Sequence, residues 1–229
     1  MSEQIFRHEY KYVISNRSAA LLRHQMDALL ARDRHAGADG RYHVRSIYFD
    51  DDSLTSFHEK LNGVKERAKY RLRFYNMDAS RLALEVKRKY DRLVRKDAFI
   101  LSPGTAKAIL TGAKLSPAER QEPLLAEFDA LRAHANLKPS VIVDYQRTAF
   151  VYPIENTRIT LDSGMSADAY RYDAVFFPRA GVPAIADGQV ILEVKFDAQL
   201  PEFIAHALAG VPKILSAHSK YCHCLAMYL

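Results

Sequence analysis

Glutamate and lysine recur two positions apart in two short runs of branched aliphatic residues. Residues 84–87 and 192–195 both read Leu-Glu-Val-Lys. On a β-strand this spacing places Glu and Lys on one face and the aliphatic side chains on the other. Residues 69–74 alternate in the same way, with three cations on one face. Adjacent like charges weaken a sheet unless something negative lies over them, so these strands predict an anion-binding surface.

The excess positive charge of the chain is concentrated in one stretch. Residues 65–97 contain twelve Lys or Arg and five Asp or Glu, whereas the rest of the 229 residues carry 21 basic and 22 acidic side chains. A local excess favours a defined anion site over general adhesion to polyanions.

Strand alternation assigns more polar side chains to the same kind of face. A closed sheet with this face inside would hold a polyanion, because Arg grips phosphate oxygens with its planar fork and Lys acts as a point charge. The carboxylates would suit a hard divalent cation that bridges to phosphates. The alternative is a solvated face with cross-strand salt bridges, which is common for a single Glu-x-Lys strand. The residues are Glu9, Lys11, Lys69, Arg71, Arg73, Glu85, Lys87, Lys89, Tyr145, Arg147, Arg158, Asp162, Glu193 and Lys195.

The periodicity predicts one α+β domain over residues 1–229, rich in strands. A helix is expected over 18–32 with Ser18 as its cap, and another over 53–61 preceded by three acids at 50–52. The stretch 103–137 and the residues after Pro201 are also expected to be helical. Strands are expected at 3–14, 42–49, 67–76, 81–89, 93–101, 140–152, 158–162, 172–177 and 189–196.

Other classes of site find little support in the sequence. Cys222 and Cys224 lie too close together for an unstrained disulfide and are expected to be buried thiols. The nine histidines show no metal-ligand spacing, and the chain has neither a Walker loop nor a nucleophile elbow. No signal peptide or membrane span is expected, which predicts a cytoplasmic protein.

Eight short motifs, taken in order, resemble the catalytic domain of the VTC (vacuolar transporter chaperone) family of polyphosphate polymerases. That family belongs to the triphosphate tunnel metalloenzyme (CYTH-like) superfamily. The resemblance covers nearly the whole chain and rests on residues 6–12, 44–50, 69–75, 84–89, 145–150, 159–162, 192–196 and 219–221.

The resemblance implies an eight-stranded antiparallel β-tunnel with flanking helices, a lumen that binds triphosphate and a mouth that binds a nucleotide. It implies Mn²⁺ or Mg²⁺ as cofactor, with Glu193 as a ligand and Glu85 and Glu9 as further metal ligands. The expected catalytic residues are Arg71, Arg73, Lys87, Arg147 and Lys195. Further phosphate contacts are expected from Lys11, Lys60, Lys69, Lys89, Tyr145, Arg158, Ser219 and Lys220.

The first strand departs from the hydrolytic branch of the superfamily, which opens with Glu-x-Glu-x-Lys. Here the corresponding residues are Arg7, Glu9 and Lys11. A cation in place of the first acid favours the polymerase branch. The sensor domain and membrane segments of the family's larger members are not expected in this chain.

The function expected is metal-dependent phosphoryl transfer from ATP to polyphosphate. Two alternatives stay open, a metal-dependent triphosphatase and a non-catalytic polyphosphate binder. Nucleic acid is not expected as a partner, because Tyr70, Phe74 and Tyr75 are expected on the core side of their strand, away from the cations. The oligomeric state is not predicted.

Overall fold

The computed structural model describes residues 7–91, 93–177 and 181–229, within which the chain forms eleven β-strands. Eight strands are long and three have only two residues. The predicted strand from Glu3 onwards begins at His8, and residues 3–6 lie outside the described part. The strands are β1 His8–Ser15, β2 Ala31–Arg32, β3 Arg41–Asp50, β4 Glu66–Tyr75, β5 Asp78–Tyr90, β6 Leu93–Ile100, β7 Lys138–Tyr152, β8 Thr157–Ala169, β9 Val182–Pro183, β10 Gln189–Phe196 and β11 Ile214–Leu215.

Six α-helices are found within the same residues, and each is too short or too polar to cross a membrane. The cap of the first helix is Ser15, which accepts the Ser18 N–H, and not Ser18 as predicted. The predicted role of the acids before the second helix is confirmed, since the Asp50 carboxylate accepts the N–H groups of Ser56 and Phe57. The helices are α1 Asn16–Leu29, α2 Thr55–Leu61, α3 Pro103–Thr111, α4 Pro123–His134, α5 Glu202–Ala209 and α6 Lys220–Leu225.

All strands join one antiparallel sheet in the order β11-β1-β10-β8-β7-β3-β4-β5-β6, with β2 on β7 and β9 on β8. The α+β class and the antiparallel pairing are confirmed. The sheet is open and has eleven strands, which corrects the prediction of a closed eight-stranded tunnel. β11 occupies the free edge of β1 at Tyr12 and Val13, and β6 reaches that strand only through a bridge between Val94 and Arg7 among the described residues.

The charged face of the sheet is concave, because side chains meet across it from strands that are not neighbours. Lys87 on β5 donates to Glu9 on β1 at 2.7 Å, although five strands separate them in the sheet order. Arg73 on β4 likewise reaches the hydroxyl of Tyr145 on β7 at 3.1 Å. The wall therefore curls into a tunnel even though its hydrogen-bonded ladder stays open.

Helices cover the apolar outer face and so fix the curvature of the wall. Leu22 and Met26 of α1 are fully buried in one cluster with Leu192 of β10. Phe128 of α4 packs edge-on against Phe49 of β3, with ring centroids 5.0 Å apart. Each large apolar side chain buried in this way contributes about 1.5–3 kcal/mol. The exceptions are α6 and Phe57 of α2, which share a cluster with the inner residues of β7.

The prediction of a strand at residues 172–177 is wrong. Tyr172–Ala174 forms a 3₁₀ turn, and the carbonyl groups of Ala174, Val175 and Phe177 accept hydrogen bonds from the buried guanidinium of Arg45. These carbonyls are therefore satisfied by a side chain instead of a neighbouring strand.

The strand predicted at 158–162 is longer than expected and changes its alternation midway. The β7–β8 register shifts between Asp144 and Gln146, near Gly164, whose φ of +59° favours glycine. The shift places Met165 and Ala167 on the inner face, although Asp162 before them also faces inward.

Candidate active site

Eight of the strands and helices supply polar side chains to the inner wall of the tunnel. On the strands, alternation selects every second residue, while α6 and the residue before it enter from the concave side. The inner polar residues are Glu9, Lys11, Tyr42, Ser46, Tyr48, Lys69, Arg71, Arg73, Tyr75, Glu85, Lys87, Tyr145, Arg147, Arg158, Thr160, Asp162, Glu193, Lys195, Ser219 and Lys220.

Arg71 and Glu85 form a bidentate ion pair between neighbouring strands. Arg71 Nε and Nη2 donate to Glu85 Oε2 at 2.8 and 2.7 Å, and Nη1 donates to the hydroxyl of Tyr48 at 3.0 Å. Burial raises the pKa of Glu85, but attraction to Arg71, Arg73 and Lys96 outweighs it and leaves the pKa well below the usual range. Glu85 is therefore ionised and fixes the guanidinium of Arg71 in the wall.

Arg73 is buried with neutral partners. Its Nε donates to Ser46 Oγ at 2.9 Å and its Nη2 to the hydroxyl of Tyr145 at 3.1 Å. The nearest carboxylate, that of Glu85, lies 4.0 Å from Nη1. Arg73 thus presents a charge that only partly finds compensation within the described residues, which suits an anion in the tunnel.

Glu9 sits among three lysines. Its carboxylate lies 2.7 Å from Lys87 Nζ, 3.2 Å from Lys11 Nζ and 3.8 Å from Lys195 Nζ. Burial lowers the pKa of Lys87 to about 7, because the attraction of Glu9 is offset by repulsion from Lys11 and Lys195. Lys87 is the lysine of this group whose charge responds most readily to a change near neutral pH.

Lys220 brings α6 into the wall through a buried ionic cluster. Its Nζ lies 2.6 Å from Glu193 Oε1 and 2.7 Å from Asp162 Oδ2. Asp162 also accepts two hydrogen bonds from Arg147, at 2.6 and 2.7 Å. Burial lowers the pKa of Lys220, but attraction to Asp162 and Glu193 outweighs this and raises the pKa overall.

The centre of the tunnel has a large excess of positive charge. Eight cations face four carboxylates there, and the pKa values of all four carboxyl groups are lowered by these cations in spite of burial. The stability that the carboxylates provide is complete above their unfolded pKa values and is lost as the pH falls through the lower folded values. The cations are Lys11, Lys69, Arg71, Arg73, Lys87, Arg147, Lys195 and Lys220, and the carboxylates are Glu9, Glu85, Asp162 and Glu193.

Lys69 in the central wall and two lysines at one end of the tunnel have no carboxylate partner. Lys69 Nζ contacts Ser219 Oγ at 3.2 Å and Cys222 Sγ at 3.4 Å. Lys60 lies in the last turn of α2, and Lys89 lies near the end of β5. In the part of the chain that the structure describes, no carboxylate lies within 4.0 Å of these three lysines. Burial together with nearby cations lowers the pKa of Lys60 and of Lys89.

The other end is lined by aromatic rings and an arginine that is already paired. Arg158 Nη2 lies 2.9 Å from Asp33 Oδ2 and donates to the hydroxyl of Tyr42 at 2.8 Å. His35 stacks on Tyr75 there, with ring centroids 5.5 Å apart. Tyr75 faces the tunnel, which corrects the expectation that it lies on the core side of its strand.

The structure brings most of the predicted site residues together. All five expected catalytic cations lie in the central wall, as do Lys11, Lys69, Tyr145, Ser219 and Lys220. Lys60 and Lys89 lie at one end of the tunnel, and Arg158 lies at the other with Asp33. The predicted roles of these residues stay predictions, since position alone does not establish them.

Six inner-wall residues were not predicted as part of the site, namely Tyr42, Ser46, Tyr48, Tyr75, Thr160 and Asp162. Ser46 and Tyr48 accept hydrogen bonds from Arg73 and Arg71, and their alternation with Ile47 on one strand is a signal that could have found them. Asp162 lies on a predicted charged face, but its pairing with Lys220 could not be foreseen from the sequence. Thr160, between Arg158 and Asp162, is uncharged, so the search for charged strand faces did not identify it as a site residue.

The carboxylates suit a metal that also binds substrate phosphates. Glu9 and Glu193 share Lys11 and Lys195 as neighbours, whereas Glu85 is held apart by Arg71. Within residues 7–91, 93–177 and 181–229, no three His, Cys, Asp or Glu side chains are arranged as a metal cage. One or two carboxylates with phosphate oxygens completing the shell is the arrangement that Mg²⁺ prefers. Glu9 and Glu193 fit that donor set.

A comparison with protein-family profiles identifies the family of this chain. The sequence profile of the VTC domain matches residues 6–229. The chain belongs to the VTC domain family. No protein of curated function matches this VTC domain at a significant level.

Several solved structures share the fold of the VTC domain. A Bacillus halodurans protein described as a candidate adenylate cyclase aligns with a TM-score of 0.52 at 17% identity, covering 91% of this chain and 88% of its own. A Hippeastrum adenylyl cyclase candidate, described as having a dominant triphosphatase activity, aligns with a TM-score of 0.51 at 13% identity, covering 97% and 96%. A chain of the Schizosaccharomyces pombe Mediator head module aligns with a TM-score of 0.50 at 9% identity, covering 91% and 98%. At these identities the likeness concerns the fold alone.

Proposed function

We propose that this VTC domain transfers the terminal phosphoryl group of ATP to the end of a polyphosphate chain held in the tunnel. The observation that carries the proposal is the central wall, where eight cations face four carboxylates that are themselves paired. Such a wall favours a ligand with several negative charges in a row, and a linear phosphate chain has them.

The reaction requires no side-chain nucleophile. A terminal oxygen of the acceptor chain attacks the γ-phosphorus of ATP, and the bond from that phosphorus to the β–γ bridging oxygen breaks, which releases ADP. Arg71, Arg73 and Arg147 would hold the phosphates in line, and Lys87 and Lys195 would neutralise the charge that shifts to the leaving group.

A divalent cation, Mn²⁺ or Mg²⁺, would be held by Glu193 and Glu9 together with phosphate oxygens. When bound, it would supply positive charge to the transferring group and to the leaving group. Tyr145, Ser219 and Lys220 would contact phosphate at the centre of the tunnel. Lys69 in the central wall, Lys60 and Lys89 at one end of the tunnel and Arg158 at the other end would extend this contact.

Product analysis tests the proposal against its two alternatives. Purified protein is incubated with ATP, Mn²⁺ or Mg²⁺ and a pyrophosphate primer, and ³¹P NMR follows the products. Growing chains with matching ADP are the result expected. Free phosphate without chain growth would instead indicate a triphosphatase, the activity described for the Hippeastrum protein. If the protein bound tripolyphosphate but turned over no substrate under any of these conditions, the result would support the alternative of a non-catalytic polyanion-binding protein.

Glu193→Gln is expected to raise the metal concentration needed for half-maximal turnover about tenfold or more, because a neutral amide is a poorer ligand for a hard cation. Turnover is measured across a Mn²⁺ titration. Glu202→Gln, at an exposed position on α5, is the matched control and should leave the titration curve unchanged. An unshifted curve for Glu193→Gln would remove Glu193 from the metal site.

The lowered pKa of Lys87 predicts that phosphate binding is coupled to proton uptake. With its pKa at about 7, Lys87 is mostly neutral at pH 8, and a bound polyanion would raise the pKa and draw up to about one proton from solvent. Affinity for tripolyphosphate should therefore fall as the pH rises through 7. Calorimetry at pH 8 in buffers of different ionisation enthalpy measures the uptake.

Lys87→Arg is the control for this coupling, because arginine stays charged over the whole range. The variant should bind tripolyphosphate with less proton uptake than the wild type. Equal uptake in the two proteins would show that the proton is bound elsewhere, for example by the ligand itself.

A further inference from the structure

Thr160 is a fully buried residue whose hydroxyl group has no hydrogen-bond partner. Its exposed fraction is 0%, and Oγ1 makes no hydrogen bond to the described residues. On β8 it alternates with Ile159 and Leu161, which belong to the outer apolar cluster. Thr160 therefore faces the tunnel, on the same side as Asp162.

The hydroxyl adjoins the most crowded part of the inner wall. Thr160 lies directly opposite Glu193 in the β8–β10 pairing, where facing Cβ atoms are about 5 Å apart. On its other side it faces Ala149 of β7, whose side chain is a single methyl group. The Glu193 carboxylate already forms ion pairs with Lys220 Nζ at 2.6 Å and with Lys195 Nζ at 3.1 Å.

Threonine is an unfavourable choice at this position for stability alone. A buried hydroxyl without a partner destabilises a fold, whereas valine fills nearly the same volume, favours strands and has no polar atom to satisfy. Thr157, at the start of the same strand, is a buried threonine whose hydroxyl group does have a hydrogen-bond partner. It is 1% exposed, and its hydroxyl donates to the carbonyl of Ile154 at 3.0 Å.

We propose that Thr160 is a positioning residue, whose hydroxyl donates a hydrogen bond to an oxygen of the phosphate group bound beside Glu193. The proposal rests on the function proposed above and adds a contact that is uncharged. A neutral donor suits this place, because the central wall already has more cations than carboxylates and another cation would add repulsion. The oxygen of a bound phosphate would satisfy the hydroxyl that the fold leaves unpaired.

Thr160→Val and Thr160→Ser test the role of the hydroxyl. Calorimetric titration with tripolyphosphate at fixed ionic strength should show a Kd about tenfold weaker for Thr160→Val, because a hydrogen bond to a charged acceptor is lost. Thr160→Ser keeps the donor and should bind nearly as tightly as the wild type. Without ligand, the melting temperature of Thr160→Val should equal or exceed that of the wild type, a result that a purely structural hydroxyl would not give.

Thr157→Val is the matched control, and it should show the opposite pattern. Its melting temperature should fall, since a satisfied hydrogen bond is removed, while its Kd for tripolyphosphate stays unchanged. Equal affinities for Thr160→Val and the wild type would overturn the inference and leave the proposed function standing. A fall in the ligand-free melting temperature of Thr160→Val like that of Thr157→Val would also overturn it. Absence of tripolyphosphate binding by the wild type would overturn both proposals together.

Discussion

Arg73→Met is expected to lower phosphoryl-transfer turnover roughly 10²- to 10³-fold while changing the free energy of unfolding by only about 1 kcal/mol. Arg73 is held by the hydroxyls of Ser46 and Tyr145, and its nearest carboxylate is 4.0 Å away. Its removal therefore takes a phosphate-binding charge from the tunnel and leaves Glu85 with Arg71 and Lys96. Turnover is measured with ATP and Mn²⁺, and stability is measured by urea unfolding.

Arg45→Met is the matched control, because Arg45 is equally buried but lies on the outer side of the wall. Its guanidinium forms a bidentate pair with Asp144, with both contacts at 2.8 Å. Removing it leaves the buried Asp144 carboxylate with His43 alone, at 3.0 Å, and takes the donor from three carbonyl groups, at a cost of about 3–5 kcal/mol. Turnover per folded molecule should be retained. If both variants lost turnover equally, the tunnel would not be the site of the reaction.

Asp162→Asn is expected to lower the free energy of unfolding by about 3–5 kcal/mol. The Asp162 carboxylate is 1% exposed as a side chain and is shared by Arg147 and Lys220. An amide at this position would turn an N–H group towards one of the two cations and leave their charges uncompensated. Urea unfolding of the variant and the wild type measures the loss.

Tripolyphosphate should restore more stability to Asp162→Asn than to the wild type, because the variant has a larger excess of positive charge in the tunnel. The experiment repeats the unfolding curves at saturating ligand. Asp187→Asn, at an exposed turn position, should match the wild type with and without ligand. An Asp162→Asn variant as stable as the wild type, or one that gains nothing extra from the ligand, would contradict the arrangement of this cluster.

The sequence was sufficient to predict the eight long strands and most of their inward-facing residues. Alternation over two residues is a local property, so the inner positions of Arg71, Arg73, Glu85 and Lys87 follow from residues a few positions apart. The same reasoning failed at residues 172–177, where the aromatic pattern suggested a strand. The guanidinium of Arg45, distant in sequence, binds the carbonyl groups of that segment and prevents strand pairing.

The partners of the inner residues could not be predicted, because they depend on how the sheet curls. Neither the contact of Lys87 with Glu9 nor that of Asp162 with Lys220 has a local signature. The alternation holds at Tyr75, which is two residues from Arg73 and shares its inner face, so the expectation of a core position for Tyr75 departed from the pattern. The alternation breaks at Gly164, where the register of β8 shifts. Residue patterns also do not reveal that the sheet stays open or that β11 pairs with the edge of β1.

Because the residues of α6 are among the last to be synthesised, the inner wall of the tunnel is completed only late in translation. Ser219 meets Lys69 across 150 positions of sequence, and Lys220 joins strands made earlier by the ribosome. A nascent chain can pair its long strands before residue 219 has been added, yet its ionic cluster is still incomplete at that stage. The proposed capacity to hold phosphate should therefore arise late in translation, and products that terminate before residue 219 should have the walls of the site without the proposed activity.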